Sequence, residues 1–201
     1  MISFADLRGF TTLSNRLPGE KLIELLNTYF GAMASAVEAQ GEVLKFIGDE
    51  VMAIFPYESA DEARQASLRA VFAAQEAVMR IAEVNLNCCA ESPEIKVGIA
   101  LHAGDVFFGN VGSETRLDFT VVGPAVNLAS RIAGLAKALD REILASEAVA
   151  GMLGCQGGKV GTYYVKGFDE PVSVFAPPLG GAPCASPCSD AMTAVRAFDA
   201  N

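Results

Sequence analysis

The chain is poor in several residues that would settle its chemistry quickly. It has one histidine, His102, so no histidine-based metal site can form within it. Standing beside Gly104, that histidine reads as a turn or packing residue. Basic residues are in deficit, with 15 Lys and Arg against 24 Asp and Glu, a net charge of −9. A nucleic-acid surface needs a basic stripe, so no nucleic-acid partner is expected. The same deficit means that a polyphosphate substrate would need metal ions and local cations to offset repulsion. No apolar run reaches the roughly 18 residues of a membrane span, so none is expected. Met1 leads straight into strand-like sequence, with no signal peptide in view. Cys88, Cys89, Cys155, Cys184 and Cys188 are odd in number and lack the spacing of a disulfide framework. A reducing cytoplasm is the simplest compartment. Gly104, Gly109 and Gly112 form a GxxxxGxxG pattern with no Lys-Ser/Thr after it, which excludes a Walker-type phosphate loop. They are expected in the turns of a β-hairpin.

What is present begins with two aspartates. In FADLRGFT, Asp6 ends an apolar strand just before Gly9-Phe10-Thr11 turns the chain. In LKFIGDEVMAIF, two apolar strands are joined at Gly48-Asp49-Glu50. A carboxylate that close to buried strand residues is costly unless something binds it. Two of them on adjacent strands make a hard, all-oxygen site suited to Mg²⁺ or Mn²⁺. Strand alternation turns Glu50, next to Asp49, away from that site.

A third segment, LDFTVVGPAVNLASRIAGLAKAL, reads as a strand, a Gly123-Pro124 break and a helix with Pro124 in its first turn. Asn127 and Arg131 fall four apart on one helix face. Leu128, Ile132, Leu135 and Leu139 form the buried stripe beside it. Taken singly, each polar residue has an ordinary reading as turn former, edge lysine or helix surface.

The order of elements predicts an α+β fold. A strand over 2–6 leads to a helix opened by Pro18, with Leu22, Leu26, Tyr29, Phe30, Met33 and Val37 as its buried stripe. A hairpin over 42–47 and 51–55 turns at Asp49. Ser59 and Glu62 form a capping box for a helix to about 85. Strands follow near 95–101, 106–108, 117–122, 159–165 and 172–175. The sheet is expected to be mostly antiparallel with helices against it. From 177 to 201 Pro, Gly, Ala and Ser dominate, a linker-like tail with one short helical turn at 191–198.

The FxDxxGFT, KFxGD and VGxxVNxASR frames, in this order, resemble the catalytic domain of the class III nucleotidyl cyclases, the adenylyl and guanylyl cyclase family. The resemblance covers residues 1–176. It implies a ferredoxin-like core and a site formed between two protomers, hence a homodimer. Asp6 and Asp49 look like the ligands of two divalent cations, Mg²⁺ or Mn²⁺. Lys45 looks like the purine-reading lysine, and Thr120 stands where many relatives carry a base-reading aspartate. Asn127 looks like the residue that orients the ribose, and Arg131 like the one that stabilises the transition state. Lys166 matches a position near the triphosphate. In the family, the aspartates come from one protomer and the lysine, threonine, asparagine and arginine from the other.

The reaction this implies is attack of the ribose 3′-oxygen on the α-phosphorus, with pyrophosphate leaving. Backbone N–H groups of Arg8, Gly9, Phe10 and Thr11, at a turn into a helix, are suited to cradle phosphate. Lys45 can only donate, which suits the N1 acceptor of adenine, so ATP is expected over GTP. Thr120 can both accept and donate, so discrimination is imperfect. The threonine variant resembles the subgroup that includes bicarbonate-responsive adenylyl cyclases. Pro124 replaces a residue that is often aspartate in relatives. The first strand begins almost at Met1, so the chain is read as a candidate fragment of a larger protein, with a regulatory domain or protein upstream. The competing readings are a cyclase for GTP or a pyrimidine triphosphate, and an inactive nucleotide-binding or dimerisation module.

Overall fold

The computed structural model describes residues 1–88, 92–113, 115–154 and 158–177. The elements run β1 (Ile2–Leu7), α1 (Phe10–Arg16), α2 (Gly19–Glu38), β2 (Glu42–Ile47), β3 (Glu50–Ile54), α3 (Ala60–Asn87) and β4 (Val97–His102). Then come β5 (Phe107–Ser113), β6 (Arg116–Val122), α4 (Pro124–Ala138), β7 (Ile143–Ser146), α5 (Glu147–Leu153), β8 (Lys159–Tyr163) and β9 (Val172–Phe175). Seven strands form one sheet in the order β2-β3-β1-β4-β7-β9-β8, and β5 pairs with β6 alone. The β2-β3-β1-β4 portion, with α2 and α3 as crossovers, has the ferredoxin-like order. All pairings are antiparallel except β4 with β7.

Alternation along β1 decides which face each residue serves. Ala5 and Leu7 pack with Tyr29 and Met33 of α2 and with Ala70 and Ala74 of α3. Ile2 and Phe4 pack with Ala129, Ile132 and Ala136 of α4 on the opposite face. Burying the larger of these, such as Ile2, Phe4 and Leu7, contributes about 1.5–3 kcal/mol each. β1 is bonded on both edges, so the strand that carries Asp6 is firmly held although it starts at Ile2.

Sequence reading missed two elements. β7 has four residues buried on both faces, so it shows no alternation. α5 follows it directly and is only seven residues long. The stripe on α2 is also shifted: Leu25 and Ala36 are buried, whereas Leu22, Leu26 and Phe30 are half-buried. Gly109 and Gly112 lie within β5 rather than in the turn. At Gly112 a Cβ would stand 2.0 Å from the Arg116 carbonyl oxygen, so the strands close tightly there. Ser59 Oγ accepts from the Glu62 N–H at 3.3 Å, but the Glu62 carboxylate reaches Glu58 N at 2.9 Å rather than closing the box on Ser59. The expected tail beyond residue 177, the helical turn at 191–198, and Cys89, Cys155, Cys184 and Cys188 lie outside the described residues. Cys88 is exposed and unbridged.

Candidate active site

Asp6 follows Ile2 and Phe4 on the α4 face of the sheet. Asp49 sits in the two-residue turn between β2 and β3, after Gly48 at φ 63°. The β1–β3 register brings that turn alongside the end of β1, and the two carboxyls share a hydrogen bond. Burial pushes Asp6 up to about 7, and the bond with Asp49 and repulsion from Asp49 and Glu50 add to this, against the pull of Lys137. Burial thus leaves the Asp6 carboxyl about half-protonated near neutral pH, and the adjoining Asp49 and Glu50 carboxyls crowd further negative charge beside it.

Glu50 corrects the sequence expectation. It is the cross-strand partner of Asp6, and directly opposed residues share a face. Asp49 lies in a turn, so the alternation used to send Glu50 away does not run through it. Burial raises the Glu50 carboxyl, and Asp49 raises it further. Lys137, in the last turn of α4, is the nearby cation, with Nζ 3.9 Å from Asp6 Oδ2.

The donors present fit a divalent cation. Asp6 and Asp49 offer hard oxygens side by side, and the repulsion that Asp49 and Glu50 exert on Asp6 is of the kind a divalent cation relieves. Among the described residues no group of three or more His, Cys, Asp or Glu is arranged to hold a metal ion. The pair would therefore need ligands from elsewhere, such as phosphate oxygens and water.

The loop after Asp6 agrees only in part with expectation. Gly9, at φ 72°, starts the short helix α1 that contains Phe10 and Thr11. The Arg8 backbone N–H is not available to phosphate, because it donates to the Lys96 carbonyl at 2.8 Å. The Arg8 side chain instead donates to Asp140, to the Arg141 carbonyl and, at 3.3 Å, to the Ala136 carbonyl. It ties the Asp6 loop to the end of α4.

Lys45 pairs across the sheet with Met52, on the α4 face, just after an irregularity between Val43 and Lys45. Its Nζ donates to Asp118 Oδ2 at 2.5 Å. Asp118 is on β6 two residues before Thr120, so Lys45 comes beside the strand that carries Thr120 within one protomer. Asn127 and Arg131 are exposed on α4, one turn apart, while Ala125, Ala129, Ile132 and Ala136 bury its other side. Lys166 is exposed in the turn after β8, at the sheet edge opposite β2. Four strand spacings, about 19 Å, separate it from β1 of the same protomer. His102 is buried and bonded to Ser146 Oγ at 2.8 Å, and burial pushes it down to about 4, as befits a packing residue.

Sequence reading missed Asp118, Lys137 and the Arg8 side chain. Asp118 carried a signal, since it shares a strand face with Thr120. Lys137 carried none, because a basic residue in a last helical turn is ordinary.

Residues 1–176 match the family model for the adenylate and guanylate cyclase catalytic domain. The chain is 36% identical over 182 residues to an adenylate cyclase of Anabaena cylindrica, covering 87% of this chain and 36% of that protein. It thus spans about a third of that relative. A bacterial light-regulated adenylyl cyclase superposes with TM-score 0.75 at 29% identity, covering 87% of this chain and 50% of that one. The guanylyl cyclase Cya2 superposes with TM-score 0.73 at 32% identity, covering 87% and 88%. With the fold, the ordered frames and these likenesses in agreement, the chain belongs to the adenylate and guanylate cyclase catalytic-domain family.

Proposed function

We propose that this domain converts ATP to 3′,5′-cyclic AMP and pyrophosphate at a site shared by two copies of the chain. The observation that carries the reading is the Asp6–Asp49 carboxyl pair, whose crowded charge suits divalent cations carrying a triphosphate. Two such cations, Mg²⁺ or Mn²⁺, would supply Lewis-acid activation of the 3′-hydroxyl and charge neutralisation on the phosphates. Asp6 and Asp49 would hold them from one protomer, with the N–H groups of Gly9, Phe10 and Thr11 nearest the phosphates.

The other protomer would present α4. Asn127 orients the ribose through its amide, and Arg131 places a fixed guanidinium against the α-phosphate, where charge builds in the transition state. Their exposure on one helix face supports action across an interface. Lys45 donates to purine N1, and Thr120 accepts from the 6-amino group. Lys166, distant from Asp6 in its own subunit, is assigned to the triphosphate bound opposite.

Dimerisation is supported by the β5–β6 arm, which exposes Phe107, Phe108, Val111, Leu117, Phe119 and Val122. The β5–β6 register puts Phe108, Leu117 and Phe119 on one face of the arm and Phe107, Val111 and Val122 on the other, and exposed apolar patches of this kind mark an interface. A regulatory domain or protein upstream is proposed because the Anabaena relative is about three times the length matched here. Among the described residues no helix is long and apolar enough to cross a membrane. The likeness to Cya2 favours GTP as the second reading, and the Thr120 hydroxyl can serve either base.

The test is product identification by mass with the four nucleoside triphosphates and Mn²⁺ supplied together. Cyclic AMP should dominate. It should vanish with Asp49→Ala and fall roughly 100- to 1000-fold with Arg131→Ala. Absence of any cyclic nucleotide overturns the proposal.

A further inference from the structure

We infer that Asp118 is a positioning residue for purine recognition, holding the Lys45 ammonium beside Thr120 and thereby setting the preference for ATP. This rests on the base-reading role proposed above for Lys45 and Thr120, and it adds a residue which that reading does not contain.

The first observation is the contact itself. Lys45 Nζ and Asp118 Oδ2 are 2.5 Å apart, joining the seven-stranded sheet to the separate β5–β6 arm. The Lys45 side chain is only 18% exposed, so its ammonium is confined rather than waving in solvent. The second is how it gets there. The register of β2 slips between Val43 and Lys45, and such bulges re-aim the side chain that follows. The third is placement. Asp118 and Thr120 are two apart on one strand, on the same face and about 7 Å apart along it.

The chemistry follows from counting donors and acceptors. An ammonium has three N–H donors, of which Asp118 takes one. The remaining donors face an acceptor from a direction that Asp118 defines, and adenine N1 is such an acceptor. Guanine presents an N1–H and a 2-amino group there, both donors, which the ammonium repels. The ion pair also neutralises Asp118. An unpaired carboxylate at this place would accept from those guanine donors and favour the wrong base. The pair therefore acts twice, by aiming the lysine and by silencing the aspartate.

The experiment is equilibrium binding of α,β-methylene ATP and α,β-methylene GTP, which cannot release pyrophosphate, to four proteins: wild type, Asp118→Ala, Lys45→Ala and the double variant. Asp118→Glu and Asp118→Asn are read alongside, and thermal melts confirm folding. Asp118 is 67% exposed, so the coupling is modest. Asp118→Ala should weaken the ATP analogue by about two- to fivefold, the range of an exposed ion pair. It should leave the GTP analogue unweakened, so that the preference narrows. Asp118→Glu should restore ATP binding and Asp118→Asn should not. In the Lys45→Ala background, Asp118→Ala should cause no further loss.

Equal losses for both analogues, or the same loss without Lys45, would make Asp118 a mere strut for the arm and overturn the inference. So would an unchanged affinity in Asp118→Ala. The cyclase reading is judged separately. A wild-type protein that binds ATP with this Asp118 dependence but makes no cyclic product sinks that reading and upholds this one. An active cyclase whose ATP affinity ignores Asp118 does the reverse.

Discussion

The ammonium of Lys137 lies 3.9 Å from an Asp6 carboxylate oxygen, bridging the last turn of α4 and the end of β1. It is the cation nearest a cluster in which Asp6, Asp49 and Glu50 repel one another. With one exposed ammonium against three carboxylates, the cluster stays under-neutralised.

A pH and metal dependence follows. The Asp6 carboxyl is raised from 3.8 to about 7 in the folded protein. Between those values the native state holds a proton that the unfolded state has lost, so stability falls as pH rises. The contribution is complete below the ordinary carboxylate value and lost by about pH 7. Mg²⁺ or Mn²⁺ binds the ionised pair, so the rise in Tm on adding metal should be larger at pH 8 than at pH 5.5. Asp49→Asn should raise metal-free stability at pH 8 and abolish most of the metal-induced rise. Lys137→Gln should move the midpoint of metal binding to higher pH, by less than about 0.7 units, since an exposed pair is worth under about 1 kcal/mol. Calorimetric melts across pH, with and without metal, check all three. A metal-induced rise independent of pH would refute the argument.

Tyr29 presents the opposite problem. It is fully buried on α2, and its hydroxyl has no hydrogen-bond partner among the described residues. Burial, and then the charges of Asp6, Asp49 and Glu50, raise its ionisation well above the ordinary range, so it stays protonated. An orphaned buried hydroxyl is costly. Tyr29→Phe should therefore stabilise the domain by about 1 kcal/mol in urea denaturation. Destabilisation of that size would mean that the hydroxyl serves a buried water or one of the carboxylates.

Arg8 is a strut between the Asp6 loop and the end of α4. Its side chain is 13% exposed, whereas Asp140 is 92% exposed, so the ion pair is the lesser part of the contact. Nη2, which donates to both the Ala136 and the Arg141 carbonyls, matters more. Arg8→Ala should cost about 2–3 kcal/mol by leaving acceptors unpaired, and Asp140→Ala less than about 1 kcal/mol. Arg8→Lys should recover less than half, because one ammonium cannot replace Nη2 on the two carbonyls and Nη1 on Asp140 together. Equal losses at Arg8 and Asp140 in chemical denaturation would contradict this ranking.

These residues show which parts of the candidate site were legible in the sequence. Asp6 and Asp49 were readable because each breaks an apolar strand, and the antiparallel register then brought their carboxyls into contact. Asn127 and Arg131 were readable from helical spacing, and both are exposed as that spacing implies. Asp118 carried only its shared strand face with Thr120 as a signal and Lys137 none, since their contacts depend on where the β5–β6 arm and the end of α4 come to rest. Glu50 was misplaced because alternation was carried through a turn. β7 was missed because a short strand buried on both faces has no period to detect. What stayed hidden was chiefly tertiary approach rather than local conformation.

The β5–β6 arm supplies the last prediction. Phe108 and Phe119 stack on it at 6.2 Å, with Leu117 beside them, and all three are exposed. A twofold dimer presents the same patch from both copies, so one substitution acts twice. Burying a phenylalanine is worth about 1.5–3 kcal/mol, so Phe119→Ser should weaken self-association by at least about 100-fold. Sedimentation should show the variant as monomer at concentrations where the wild type is dimeric. Activity per protomer should then rise with concentration over a higher range than in the wild type, while the melting temperature of the monomer changes little. If the variant sediments like the wild type, the dimer forms through another surface, and the arm is not what brings Arg131 of one subunit to the Asp6–Asp49 pair of the other.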